Sequence, residues 1–262
     1  MDLSIAGKSA FIATQGRAVD RSLPSIVFVH GAGLDHTVWT LMARYFVRHG
    51  RNVLAVDLPG HGRSQGPPLE TISAMADWLA ELMAAAGPAQ TAIVGHSMGS
   101  LVTLEVALRH PASTQALALL GSSVPMPVNE QLLAAAKRND HTALDMLNIW
   151  GHSYTGQIGG FGPPGLWKSG DNLRLLEKAA PGVVYAGLKA CNDYPGDLQR
   201  PARVQCPTLL VIGDSDIMTP PREAEKLAGA IPAARTAVLE NCGHAMLMEQ
   251  PNAILDTLID FL

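Results

Sequence analysis

A chain of 262 residues with a net charge of −4 is long enough to build a sizeable core and carries no basic surplus that would draw it to a nucleic acid. It contains no run of 18 or more apolar residues, so no membrane-spanning helix is predicted, and its first eight residues lack the basic and apolar blocks of a leader, which predicts a cytoplasmic protein. Cys191, Cys206 and Cys242 are too scattered for a metal-ligand pattern or a disulfide framework.

In chain order, Leu3 to Ile12 reads as a hairpin that opens a sheet, with Gly7-Lys8 as its turn. Three strands follow, at 25–30, 52–57 and 91–96. Each is apolar on both faces, as strands of a parallel sheet between helices must be. Helical periodicity fills the gaps at Trp39 to Val47 and Ile72 to Ala86, the second closed by Gly87-Pro88. The next strand, Ala116 to Leu120, ends in Gly121-Ser122-Ser123 with no carboxylate after it.

Residues 124–202 break this rhythm, with no parallel-strand run among them. Helices are predicted at Glu130–Arg138 after Asn129, Thr142–Trp150 after Asp140, and Leu173–Ala179 after Asp171. Asn and Asp cap helix starts well, and Gly151 and Pro181 serve as stops. The Gly- and Pro-rich stretch 156–165 reads as a loop. The strand rhythm returns at Pro207 to Ile212 and Thr236 to Leu239, and a helix from Pro251 to Leu262 closes the chain.

The candidate chemistry centres on Ser97 in Gly95-His96-Ser97-Met98-Gly99, between the strand Thr91 to Val94 and a helical run from Ser100 to Leu108. A strand, a sharp turn and a helix push the apical serine hydroxyl out of the sheet, and a Cβ at either flanking glycine would crowd the strand or the helix. A serine nucleophile needs a base, an orienter for the base and an oxyanion hole. His244, on a loop past the strand ending at Leu239, can reach the carboxyl edge of the sheet where catalytic groups collect. Asp214 and Asp216 both follow the strand ending at Ile212; Asp214 reads as a turn former that bonds its own backbone. The backbone N–H of Met98 and that of Ala32, between Gly31 and Gly33 after the strand Ser25 to Val29, are the predicted oxyanion donors. This chemistry requires no cofactor and no metal. Cys242 competes poorly as nucleophile, since Ser97 already holds the elbow.

Five segments, His30-Gly31-Ala32-Gly33, Asp57 to Ser64, Gly95 to Gly99, Gly213 to Pro220 and Gly243-His244, stand in one order across nearly the whole chain. Together they resemble the α/β-hydrolase fold family. The resemblance implies a mostly parallel eight-stranded sheet flanked by helices. It implies a core domain of residues 1–123 and 203–262, with 124–202 inserted after the sixth strand as a helical cap. It selects Asp216 over Asp214, making Ser97, Asp216 and His244 the triad. It makes Asp57 and His61 parts of a structural loop. A serine nucleophile speaks against the haloalkane dehalogenases and epoxide hydrolases of the fold. The expected activity is hydrolysis of small carboxylic esters with short to medium chains. A lactonase, a thioester hydrolase or a C–C hydrolase could use the same triad. The C–C hydrolases, however, usually carry Asn where this chain has His96, and Trp where it has Ala245. A ligand-binding receptor or an acyltransferase on the same scaffold is the alternative of another class.

The 124–202 segment holds Met126, Met146, Leu147, Ile149, Trp150, Phe161, Leu166 and Trp167, which must divide between a local core and a substrate pocket. Lys137, Arg138, Lys168, Arg174, Lys178 and Lys189 read as solvated.

Overall fold

The computed structural model describes residues 1–87, 91–159 and 167–262. Its strands are β1 (Asp2–Ile5), β2 (Lys8–Ala13), β3 (Ser25–Val29), β4 (Asn52–Val56), β5 (Thr91–His96), β6 (Thr114–Leu120), β7 (Thr208–Gly213) and β8 (Arg235–Leu239). They form one eight-stranded sheet in the order β1-β2-β4-β3-β5-β6-β7-β8. The β1–β2 and β2–β4 pairs are antiparallel and all later pairs parallel. The helices in chain order are α1 (Thr40–Arg48), α2 (Ile72–Ala86), α3 (Met98–Arg109), α4 (Glu130–Lys137), α5 (Thr142–Gly151), α6 (Tyr154–Gln157), α7 (Lys168–Leu176), α8 (Val183–Asn192), α9 (Pro221–Ala230), α10 (Met246–Glu249) and α11 (Pro251–Phe261). Among the described residues, no helix is long and apolar enough to cross a membrane.

The two-sided apolar strands are explained by two core clusters, one on each face of the sheet. Val27 and Val29 point into one, with Met75 and Leu79 of α2 and Leu101 of α3. Ile26 and Phe28 point into the other, with Met42 and Phe46 of α1 and Ile254 and Leu258 of α11. Alternation along β3 is therefore present, but both faces are dry. Burying a side chain of this size stabilises the fold by about 1.5–3 kcal/mol, so a polar replacement of these apolar residues is destabilising on either face.

Helix ends follow their capping residues. The Thr71 hydroxyl accepts from the Ala74 N–H at the start of α2, and Gly87, in the left-handed region at φ +88°, ends it. Pro88, the expected breaker, lies outside the described residues. The β1–β2 turn is Ala6-Gly7, at φ +47° and +75°, one residue earlier than the expected Gly7-Lys8. Two left-handed residues match the twist of a tight hairpin, and Lys8 is left free to pair with Ile5.

The segment between β6 and β7 departs further from expectation. Asn129 caps α4 as predicted, its side-chain oxygen accepting from the Gln131 and Leu132 N–H groups. Helix α7 starts at Lys168 rather than Leu173, and Asp171 lies inside it. Tertiary contact decides this register: Asn172 donates to the Asn148 side chain (3.0 Å), which donates to the Ser169 hydroxyl (2.9 Å), while Leu175 and Leu176 are buried. The predicted loop at 156–165 begins with residues of α6, and its 160–165 portion lies outside the described residues. Helix α8 has no counterpart in the sequence expectations. Its Val183-Val184 start and internal Gly187 are poor helix formers. Packing supplies what propensity lacks: Val184 and Leu188 join α4 and α5, while Ala190 and Cys191 join the core beneath.

Candidate active site

Parallel strands aim their carboxyl ends at one edge of the sheet, and the strand order brings the candidate residues together there. β5 pairs with β3 on one side and β6 on the other, so the loop after β3 lies beside the turn after β5. Ser97 sits at that turn with φ +54° and ψ −121°, a conformation that costs on the order of 1–3 kcal/mol and persists only because its surroundings enforce it. A Cβ on Gly95 would strike the Gly99 carbonyl, and one on Gly99 would strike the Val29 carbonyl. The close approach of helix to strand therefore excludes any side chain at either glycine.

His244 Nε2 lies 2.8 Å from Ser97 Oγ and accepts its proton, while His244 Nδ1 donates to Asp216 Oδ2, also at 2.8 Å. Asp216 is 2% exposed. Its other oxygen accepts from the Met218 and Thr219 N–H groups (2.8 Å each), and the Thr219 hydroxyl donates to Oδ2 at 2.6 Å. Burial pushes this carboxyl up, but the His244 contact and the Thr219 bonds outweigh it, and the net direction is down. Asp216 is thus held as an anion against the imidazole. Asp214 is exposed and turned away. It accepts from the Ser215 hydroxyl (2.8 Å) and the Cys242 N–H (3.3 Å), not from its own N–H, and so ties the β7 loop to the loop that carries His244.

Ala32 and Met98 flank Ser97. Among the described residues, neither N–H donates to a protein acceptor, which leaves both available to an oxyanion. Gly33 takes φ +72° to turn the loop. Helix α8 roofs this pair: a Cβ on Gly187 would lie 2.8 Å from the Ala32 Cβ and 2.9 Å from the Met98 sulfur. Gly121, after β6, plays a matching part for the candidate base, since a Cβ there would come within 3.1 Å of His244 Nδ1. Neither Gly121 nor Gly187 was predicted to matter. The only signal for them is a glycine in an apolar context, which many structural glycines share.

Asp57 and His61 stand apart from this cluster. Asp57 accepts from the His36 N–H (2.7 Å), the His36 ring (2.9 Å) and the Arg63 N–H (2.9 Å). Burial pushes its carboxyl up, and the His36 bond together with the charge of its neighbours brings it below its ordinary value. His61 donates to the Pro59 carbonyl and packs against His30; burial lowers it to about 3, so it stays neutral. Cys242 is fully buried, and burial pushes its thiol up, which makes it a poor nucleophile. The three cysteines are free thiols.

Two cavities open on Ser97 and His244. The larger, about 290 Å³, is lined by Met126, Val128, Leu132, Trp150, Ile217 and Met218 among others. The smaller, about 60 Å³, lies among Leu34, Val38, Leu147, Leu176, Leu247 and Met248. Neither is lined by a described Lys, Arg, Asp or Glu. Of the apolar residues left unsorted by sequence, Met126 and Trp150 face the larger cavity and Leu147 the smaller; Met146 packs locally, and Ile149 and Trp167 are exposed. Phe161 and Leu166 lie outside the described residues. Lys168 departs from expectation: its ammonium donates to the Glu249 carbonyl at 2.8 Å.

Known proteins can be compared with this arrangement. The chain is 31% identical over 247 residues to a pimeloyl-[acyl-carrier protein] methyl ester esterase of Aromatoleum aromaticum, a match covering 87% of this chain and 94% of that protein. Among solved structures it superposes on an esterase from Exiguobacterium antarcticum with a TM-score of 0.86 at 18% identity, covering 99% of this chain and 98% of the other. It superposes on Est816, described as an N-acyl homoserine lactone degrading enzyme, with a TM-score of 0.85 at 21% identity over the full length of both. At such identities these likenesses speak for the fold. The family model of the alpha/beta hydrolase fold matches residues 24–251, from the start of the parallel sheet to the start of the last helix, and the chain belongs to that family.

Proposed function

We propose that this protein hydrolyses carboxylic esters through an acyl-enzyme on Ser97. The observation that carries the reading is the unbroken hydrogen-bond line from Ser97 Oγ through His244 to a buried Asp216, with both links at 2.8 Å. In the first half-reaction Ser97 Oγ attacks the ester carbonyl as its proton passes to His244 Nε2. The Ala32 and Met98 N–H groups receive the negative charge that develops on the carbonyl oxygen, each contributing about 3–4 kcal/mol in the transition state. Asp216 holds the imidazole so that Nε2 faces the serine and stabilises the imidazolium. Collapse breaks the carbon–alkoxy bond, and His244 returns its proton to the leaving alcohol. In the second half His244 takes a proton from water, the hydroxide attacks the acyl carbon, and Ser97 Oγ leaves with that proton.

Residues 124–202 act in this reading as a helical cap over the core of 1–123 and 203–262, since α5 and α8 wall both cavities, α4 the larger and α7 the smaller. Unequal apolar chambers with no charged wall among the described residues favour a neutral ester with one small and one larger arm of short to medium length. The relative in Aromatoleum aromaticum is named a methyl ester esterase, and a methyl ester has one small arm.

Initial rates on p-nitrophenyl esters from acetate to decanoate, with wild type beside Ser97→Ala, test the proposal. Ser97-dependent turnover that falls off with acyl length supports it. Turnover that survives Ser97→Ala overturns the nucleophile. Turnover on simple lactones but on no ester moves the substrate to the lactone class.

A further inference from the structure

Among the buried carboxylates that the mechanism above does not use, Glu249 lies nearest in sequence to the candidate base. Glu249, on α10, is 2% exposed and lies five residues beyond the candidate base. One of its oxygens accepts from the Gly243 N–H at 2.9 Å. The other accepts from the Ser153 N–H at 3.1 Å and from the Ser153 hydroxyl. Ser153 caps α6, its own oxygen accepting from the Gly156 N–H at 3.0 Å. A single carboxylate therefore joins the residue before His244 to the 124–202 segment.

The residues on either side are held as firmly. The Ala245 N–H, just after His244, donates to the Gly151 carbonyl at 2.6 Å. The carbonyl of His244 itself accepts from His96 Nε2 at 2.9 Å. Three successive backbone groups around the base are thus anchored outside their own loop, two of them by way of the α5–α6 junction. The approach is close enough that Gly243 can carry no side chain: its Cβ would lie 2.5 Å from the Ser153 nitrogen and 2.7 Å from the Gly151 carbonyl oxygen. A buried carboxylate is costly unless its donors are supplied, and here they come from two separate parts of the chain. If Gly243 and Ser153 moved apart, Glu249 would lose one set of donors without access to water.

We infer that Glu249 is a positioning residue for His244, clamping the base loop to the α5–α6 junction so that the two move as one body. The inference rests on the reading of Ser97 and His244 as nucleophile and base. It has a mechanical consequence: the α5–α6 end of the segment does not swing away from the site as a lid, because doing so would carry the base with it.

The test compares Glu249→Gln, Ser153→Ala and the double variant with wild type. Readouts are kcat and KM on a p-nitrophenyl ester and the rate of Ser97 phosphonylation by a p-nitrophenyl alkylphosphonate. In that reaction Ser97 Oγ bonds phosphorus, p-nitrophenolate leaves and the serine proton passes to His244. A displacement of about 1 Å at a catalytic group costs on the order of 10²-fold. Glu249→Gln, which keeps the shape but replaces one acceptor by a donor, is expected to lower kcat and phosphonylation together by roughly ten- to a hundredfold, with KM within about threefold. Ser153→Ala, which leaves every charge in place, is expected to lower both by a smaller factor, and the double variant to fall little below Glu249→Gln, as partners in one contact do. A Glu249→Gln protein that melts earlier but keeps wild-type kcat and phosphonylation per folded molecule overturns the inference. Should that variant not fold, unchanged rates in Ser153→Ala overturn it instead. Ser97→Ala and His244→Ala controls separate the two levels: activity surviving in either sinks the underlying reading, whereas its loss in both confines any failure to Glu249.

Discussion

The sheet and the segment between β6 and β7 obey different rules, although both border the same site. In the sheet, β5 covers Thr91–His96 and α2 covers Ile72–Ala86, the spans that periodicity alone predicts. Between β6 and β7, α7 is displaced by five residues at its start and α8 is absent from the sequence reading. A strand buried on both faces has to be apolar along its length, so its identity is written locally. A short helix packed on one side needs only a few contacts, and where those fall depends on what it rests upon. Yet α8 is the helix that sits over Ala32 and Met98. The least legible element thus touches the two residues proposed to bind the oxyanion.

The sharpest way to break this comparison is at the elbow. Ser97→Ala should lower kcat by on the order of 10⁴–10⁶ while leaving the melting curve nearly unchanged, because in the proposed mechanism the side chain serves chemistry rather than packing. Gly95→Ala should abolish activity by another route, since its Cβ has no space against the Gly99 carbonyl and the elbow must open. Circular dichroism with thermal melting separates the two, with a large loss of stability expected only for the glycine. A Gly95→Ala protein of normal stability and activity would refute the account of that contact.

Gly187→Ala probes the other region. The new Cβ presses on Ala32 and Met98, so kcat should fall by roughly ten- to a hundredfold, a misplaced oxyanion donor being worth up to about 10³. Some stability should be lost too, though less than for Gly95→Ala, since the Met98 side chain can yield but the Ala32 Cβ cannot move without its backbone. If kcat is unaltered, α8 is a bystander to the oxyanion loop.

Acid pH tests the core. Burial lowers His61 and His96 to about 3, from an ordinary value of 6.5. Both are neutral when folded and take up a proton on unfolding, so their full contribution to stability is present above pH 6.5. It falls as pH drops from 6.5 toward 3, by about 1.4 kcal/mol per pH unit for each histidine. Urea unfolding at pH 7 and pH 5 measures the slope, and His61→Gln should flatten it. An equal slope in wild type and variant would count against a neutral buried ring. The smallest expected effect is at Trp150. Trimming it to Ala enlarges the larger cavity and should raise kcat/KM for longer acyl chains relative to acetate by about tenfold or less. An unchanged chain-length profile would remove Trp150 from the substrate wall.

Most of the candidate site was legible because its residues occupy positions the backbone makes special. A serine between two glycines after an apolar strand, and a histidine and an aspartate past later strand ends, follow from where parallel strands deliver their loops. The choice between Asp214 and Asp216 was not readable from residue type. Both follow β7, and only the path of the β7 loop turns Asp216 to His244 and Asp214 to Cys242. Glu249 was invisible for the same reason: an acidic residue in a short helix reads as solvated until Ser153, 96 positions earlier, is brought to it. By itself, then, the sequence determined the sheet, the flanking helices α1, α2, α3 and α11 and the kinds of side chain at the strand ends, because burial and turn geometry act over a few neighbours. Tertiary structure alone decided the register of α7, the existence of α8, the walls of the two cavities and the partners of the buried carboxylates. Those depend on contacts between residues far apart in the chain, and no local pattern encodes which surface a helix will meet.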